Sequence, residues 1–109
     1  MAQILFTIKK RSTFLKIRNE GLFIKGRNLN IQILYNQNLE KSIGVGYTAT
    51  KKIGNAIKRN KAKRIMRELA RKIIINGKKN SYYVLIAKSS LLNEKFSNLL
   101  IELKEKIND

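Results

Sequence analysis

KKIGNAIKRNKAKRIMRE, residues 51–68, carries two helical patterns at once. Continued to residue 73, the apolar pattern is Ala62, Ile65, Met66, Leu69, Ala70 and Ile73, spaced by threes and fours. That is the stripe of a helix packed on a core. The basic pattern is Arg59, Lys63, Arg67 and Arg71 at i, i+4 steps, with Asn60 and Arg64 beside it. Together they predict a helix from Asn55 or Ala56 to Ile75, ended by Asn76-Gly77. Ten basic residues and one acid, Glu68, fall between Lys51 and Lys72. Like charges at i, i+4 destabilise a helix by about 0.2–0.5 kcal/mol a pair, so tertiary packing or a partner must offset them. A charge run often marks only a solvated face. Here the charges form an outward row whose step is about 6 Å, comparable to successive phosphates on one strand. Lys and Arg suit that contact. The pattern points to a phosphate-binding surface, not a sequence-reading one.

The flanking segments alternate between strand and helix signals. Ser12–Asn19 predicts a short helix, with Ser12 or Thr13 as cap, Phe14, Ile17 and Arg18 at i, i+3 and i+4, and Gly21 as its end. From Leu22 to Tyr35 the pattern is strand-like, with a bend at Gly26-Arg27-Asn28. Leu29, Ile31, Ile33 and Tyr35 alternate with Asn30, Gln32, Leu34 and Asn36, giving one apolar and one largely polar face. A polar loop, Asn36–Lys41, precedes a second alternating run over Ile43–Thr50. There Val45, Tyr47 and Ala49 point one way, and Gly46, Thr48 and Thr50 the other. Ser81–Ala87 (SYYVLIA) is apolar enough for a central strand. Asn93–Lys106 predicts a closing amphipathic helix with Phe96, Leu99, Leu100, Leu103 and Ile107 inward. The polar face carrying Asn30, Gln32, Thr48 and Thr50 has two readings. It is the wet side of an antiparallel sheet, or, with Lys51, a set of contacts for an extended nucleic acid strand. On composition alone the first is preferred.

The 109 residues hold 24 Lys and Arg against seven Asp and Glu, a net charge of +17. A polyanionic partner relieves the self-repulsion of such a chain, and nucleic acid is the first candidate. No Pro, repeat or low-complexity linker divides the sequence, which predicts a single domain over 1–109. Lys or Arg interrupts every apolar stretch, so no bilayer span is expected, and the N-terminal MAQILFTIKKR does not read as a secretion signal. There is no Cys or His, hence no thiolate or imidazole for metal binding or acid–base work. Cytoplasmic location is the simplest reading. The one Asp is Asp109, and of six Glu only Glu102 and Glu105 lie close together, as solvated helix-surface residues. A two-metal nuclease needs several convergent carboxylates. None is visible, so no catalytic or metal-binding residue is assigned, and any hydrolytic chemistry is expected to come from another molecule.

The stretch 51–68 also closely resembles the signature of the bacterial ribonuclease P protein family, K-x-G-x-A-x-x-R-N-x-x-K-R. The matching residues are Lys52, Gly54, Ala56, Arg59, Asn60, Lys63 and Arg64, with the family's usual further Arg at Arg67. Phe14, seven residues before Gly21, is similar to the family's opening segment. The resemblance spans Ile8–Ala87; the last helix is generic. It implies an α/β two-layer sandwich of order α-β-β-β-α-β-α, with Leu22–Lys25 as a short first strand and a left-handed β-α-β crossover, against the usual hand. It implies that Lys52, Arg59, Asn60, Lys63, Arg64 and Arg67 contact a catalytic RNA. Phe14 would stack against the single-stranded 5′ leader of precursor tRNA, with Arg18, Asn30, Gln32, Thr48, Thr50 and Lys51 as polar contacts. By the residues alone Phe14 reads as core. Two departures stand out: Arg18 and Gln32 occupy positions where the family often has aromatics, which weakens expected stacking. Arg18 can instead contact phosphate or stack by its guanidinium plane. The Mg²⁺ implied is held mainly by the RNA, and no protein partner is required. Rival readings are a ribosomal-type structural RNA-binding protein, a self-sufficient nuclease, and a DNA- or membrane-surface-binding protein.

Overall fold

The computed structural model describes residues 4–108; Met1–Gln3, the start of the stretch read for a secretion signal, and Asp109 lie outside it. The elements run β1 (Leu5–Thr7), α1 (Arg11–Glu20), β2 (Leu22–Ile24), β3 (Leu29–Leu34), β4 (Ile43–Thr48), α2 (Ala56–Lys72), β5 (Ser81–Ala87) and α3 (Phe96–Ile107). The strands form one mixed sheet of order β1-β4-β5-β3-β2. The β5 strand is central, as its apolar run predicts. It lies parallel to β4 and antiparallel to β3, and α2 connects it to β4 in a β-α-β unit.

One face of the sheet holds the main core. Leu29, Ile31 and Ile33 of β3, Val45 of β4 and Leu85 of β5 are buried there with Ala62, Met66, Leu69 and Ala70 of α2 and Leu99 and Leu103 of α3. Leu85 aside, these fall on the apolar faces that the sequence predicts for strand and helix alike. The other face is divided. Leu34, in phase with Asn30 and Gln32, joins Ile8, Val84 and Ile17 in a second, smaller core, with Phe14, Tyr82 and Ile86 packed against it. Thus α1 roofs part of the face that the sequence marks as largely polar, and the rest stays open.

Several boundaries differ from those predicted, for identifiable reasons. The strand β1 is an addition to the expected order; it pairs in parallel with Ile43–Val45, and three residues are too few to show a period. The first helix begins one residue early, at Arg11, with Lys10 at its cap position and no side-chain cap from Ser12 or Thr13. In place of two further strand residues after Thr48, Thr50 caps a 3₁₀ turn over Lys51–Ile53 by accepting from the Lys52 N–H at 3.4 Å. The α2 helix stops at Lys72 and tightens into a 3₁₀ turn at Ile74–Asn76. Before α3, Ser89–Asn93 forms a 3₁₀ turn, so that helix starts three residues later than predicted.

Candidate nucleic-acid interface

The basic helix is launched by two residues of the 51–68 stretch. Gly54 has φ 136°, a backbone setting that residues bearing a Cβ rarely adopt. It turns the chain out of the 3₁₀ turn. Asn55 then caps α2 by accepting from the Lys58 N–H at 3.0 Å, satisfying one of the orphan donors of the first turn.

Along α2, Arg59, Asn60, Lys63, Arg64 and Arg67 fall within about 140° of the helix circumference at 3.6 residues per turn, on a flank that borders the buried stripe along Arg59 and Lys63. Asn60, Arg64 and Arg67 are exposed, whereas Arg59 and Lys63 are half-buried at the margin of the core. Arg67 reaches over the Tyr47 ring of β4, its guanidinium carbon 5.8 Å from the centroid. Burial pushes the Tyr47 hydroxyl pKa up, and the positive charges of Arg67 and Arg71 partly oppose that shift. Glu68 pairs with Arg71 at 3.2 Å, the only salt bridge among the described residues. The predicted ridge cations are therefore brought together with no carboxylate to neutralise them. Lys52 sits apart from the ridge, in the 3₁₀ turn at its foot.

The open part of the second sheet face is a continuous concave surface. Sheet register places Gly46, Val84, Gln32 and Phe23 in one row and Thr48, Ile86 and Asn30 in the next. Phe14 descends from α1 onto Gly46, where an added Cβ would lie 2.4 Å from the ring; only glycine lets the ring seat that deeply. Arg11, Phe14, Leu15 and Arg18, one stripe of α1, wall a cleft of ≈ 340 Å³ whose floor is Gln32, Thr48, Val84 and Ile86. Through Ile86 it joins a hollow of ≈ 760 Å³ lined by Asn30, Thr50, Lys51, Lys52 and Lys88. All seven residues implied for leader contact line these two joined spaces. Phe14 is half-buried, packed on the sheet at one side and open to the cleft at the other.

Among the described residues, neither space is lined by a carboxylate. By contrast, a hollow beside α3 is lined by Glu94, Glu102 and Glu105 as well as by Arg27 and Lys106, a poorer setting for phosphate. Sequence reasoning missed Arg11, Leu15 and Lys88. The first two were available from helical spacing around Phe14; Lys88 needed the fold. Among the described residues no group of three or more Asp or Glu is placed to hold a metal ion, so the donors present do not fit a protein-borne Mg²⁺ site. No helix among them is long and apolar enough to cross a membrane.

Comparison with known proteins agrees with this architecture. The family model described as Ribonuclease P matches residues 5–109. The chain belongs to the ribonuclease P protein family. It is similar to the ribonuclease P protein component of Caulobacter vibrioides, 34% identical over 98 residues covering 89% of this chain and 65% of the relative. It thus spans just under two thirds of that relative's length. To the component of Ruegeria pomeroyi it is 36% identical over 105 residues, covering 89% of this chain and 79% of the relative. The fold matches the ribonuclease P protein of Staphylococcus aureus with TM-score 0.78 at 24% identity, covering 92% and 90% of the two chains. It matches that of Thermotoga maritima with TM-score 0.79 at 23% identity, covering 94% of each. In ribonuclease P family terms, the 51–68 signature maps onto the 3₁₀ turn, the positive-φ glycine, the cap and the ridge.

Proposed function

We propose that the chain is the protein subunit of ribonuclease P, a single RNA-binding domain of the cytoplasm. It docks on the catalytic RNA through the α2 ridge and holds the 5′ leader of precursor tRNA in the cleft beneath α1. The complex then removes the leader by Mg²⁺-dependent endonucleolytic cleavage to give the mature tRNA 5′ end. The observation that carries the reading is the sorting of charge. Two cationic, carboxylate-free surfaces, a convex ridge and a concave cleft, meet at Lys51-Lys52 on a chain of this family. A convex row of cations suits the phosphates of a folded RNA. A half-open cleft with one ring and several amides and hydroxyls suits an extended single strand whose sequence varies.

The labour is divided. Mg²⁺, which no described residue of this chain is placed to hold, would be held by the RNA subunit and would supply activation of water there. This chain supplies binding and orientation: Arg59, Lys63, Arg64 and Arg67 neutralise phosphates, Asn60 bonds backbone or sugar, and Phe14 stacks while Asn30, Gln32 and Thr48 bond the strand. A ribosomal-type structural RNA-binding protein would share the ridge but has no use for the cleft.

Reconstitution tests the reading. The isolated protein leaves precursor tRNA intact, and mixing it with a bacterial ribonuclease P RNA at low Mg²⁺ restores cleavage of the leader. Absence of rescue by protein shown to be folded rejects the function. Within the cleft, Phe14→Ala lowers holoenzyme affinity for leader-bearing precursor by at least about fivefold, the lower end of base-on-aromatic stacking, and spares mature tRNA. Equal loss on both substrates removes the leader role.

A further inference from the structure

Phe23 is 59% exposed, and its place in the sheet gives that exposure a direction. The residue pairs across β2 and β3 with Gln32, and directly opposed residues of an antiparallel pair project to the same face. Phe23 therefore continues the row Gly46, Val84, Gln32 that floors the cleft, and ends it at the sheet edge. Its neighbour Leu22 pairs with Ile33 and turns to the other face. Among the described residues no ring or cation contact engages Phe23, so its π-face is available.

We propose that Phe23 is a second stacking platform for the leader, standing at the sheet edge beyond Gln32. The inference rests on the leader reading of the cleft. Phe14 seats over Gly46 on β4, and Phe23 lies three strands away on β2, about 14 Å at 4.7–4.9 Å per strand. The two rings thus serve different nucleotides. Between them lie Gln32 on the floor and Arg18 on the wall, an amide and a guanidinium suited to the intervening sugar-phosphate. Charge decides the occupant. A second copy of this chain, at +17, is repelled from the edge, whereas a polyanionic strand is drawn to it.

The test uses holoenzyme assembled with the catalytic RNA, and precursor tRNAs whose leader bases are removed one at a time as abasic sites. Phe23→Ala is expected to weaken leader-bearing precursor by about five- to tenfold, the low end for base-on-aromatic stacking because the ring is open on one side. Mature tRNA is unaffected, and Phe23→Tyr binds like the parent. One abasic position makes Phe23→Ala and parent equal, and it differs from the position that does so for Phe14→Ala. A Phe23→Ala enzyme equal to the parent on every leader, with Phe14→Ala impaired, overturns this inference and leaves the leader reading standing. Parent-like behaviour of both variants sinks that reading as well. A loss shared by mature tRNA, or loss of a concentration-dependent dimer of the free protein without leader dependence, assigns the ring to the fold or to self-association and overturns the inference.

Discussion

Replacing Arg59 and Arg64 together by alanine lowers affinity for the catalytic RNA by about 25- to 60-fold at 0.1 M salt, and the deficit closes towards 1 M. Each phosphate neutralised contributes roughly 0.7–0.9 to the slope of log affinity against log salt. Two lost contacts flatten that slope by about 1.4–1.8, which over one decade of salt is the fold-change stated. The free protein keeps its stability within about 0.5 kcal/mol. Arg64 is exposed; Arg59 is half-buried at the margin of the core, and removing it relieves its like-charge pairing with Lys63, which offsets the packing lost by its stem. Affinity and stability therefore move independently. An unchanged salt slope in a filter-binding or titration series would show that the ridge is not the contact.

Glu102→Ala destabilises the protein by about 2–4 kcal/mol, a fall in Tm of about 10–25 °C for a domain near this size. Asn28, 4% exposed, donates its backbone N–H to Glu102 Oε2 at 2.9 Å and its Nδ2 to Oε1 at 2.8 Å. The carboxylate clamps α3 onto the bend that feeds β3, and truncation strands two buried donors at once. Glu102→Gln keeps one acceptor oxygen and recovers part of the loss. A thermal melt of Glu102→Ala within about 3 °C of the parent would remove Glu102 from the structural frame.

Glu102 also marks where sequence reasoning stops. By sequence it is a solvated helix-surface carboxylate; only the return of α3 past Asn28, 74 positions away, makes it the half-buried partner of a buried residue. Elements with a strong period were legible: the alternation of Leu29, Ile31 and Ile33, the apolar run of β5, and the double pattern of α2. The ridge was legible because helix geometry alone sets which of its residues share a flank. The cleft was half legible. Asn30, Gln32 and Thr48 were assigned to one face from alternation, but Leu34 in the same phase lies under α1, and Thr50 leaves the strand to cap a turn. The face that Phe23 occupies was invisible, because it depends on the pairing of β2 with β3, which a three-residue strand does not encode. β1 escaped for the same reason, its partner lying 38 positions downstream.

The placement of β5 has a consequence for how the polypeptide acquires its shape during synthesis. β3 and β4 do not touch each other in the sheet; each pairs with β5, which is the last strand to be made. Before Ala87 emerges from the ribosome, the growing chain can close the β2–β3 hairpin and lay β1 on β4, but these two halves have no seam. At about 5–20 residues per second, some 2–8 seconds separate the completion of β4 from that of β5. Within that interval the basic α2 segment, complete at Lys72, is released before there is a finished sheet to pack against. The order of birth thus leaves the most cationic part of the nascent chain unshielded, and a nearby polyanion has its opportunity to engage it before the sheet is sealed.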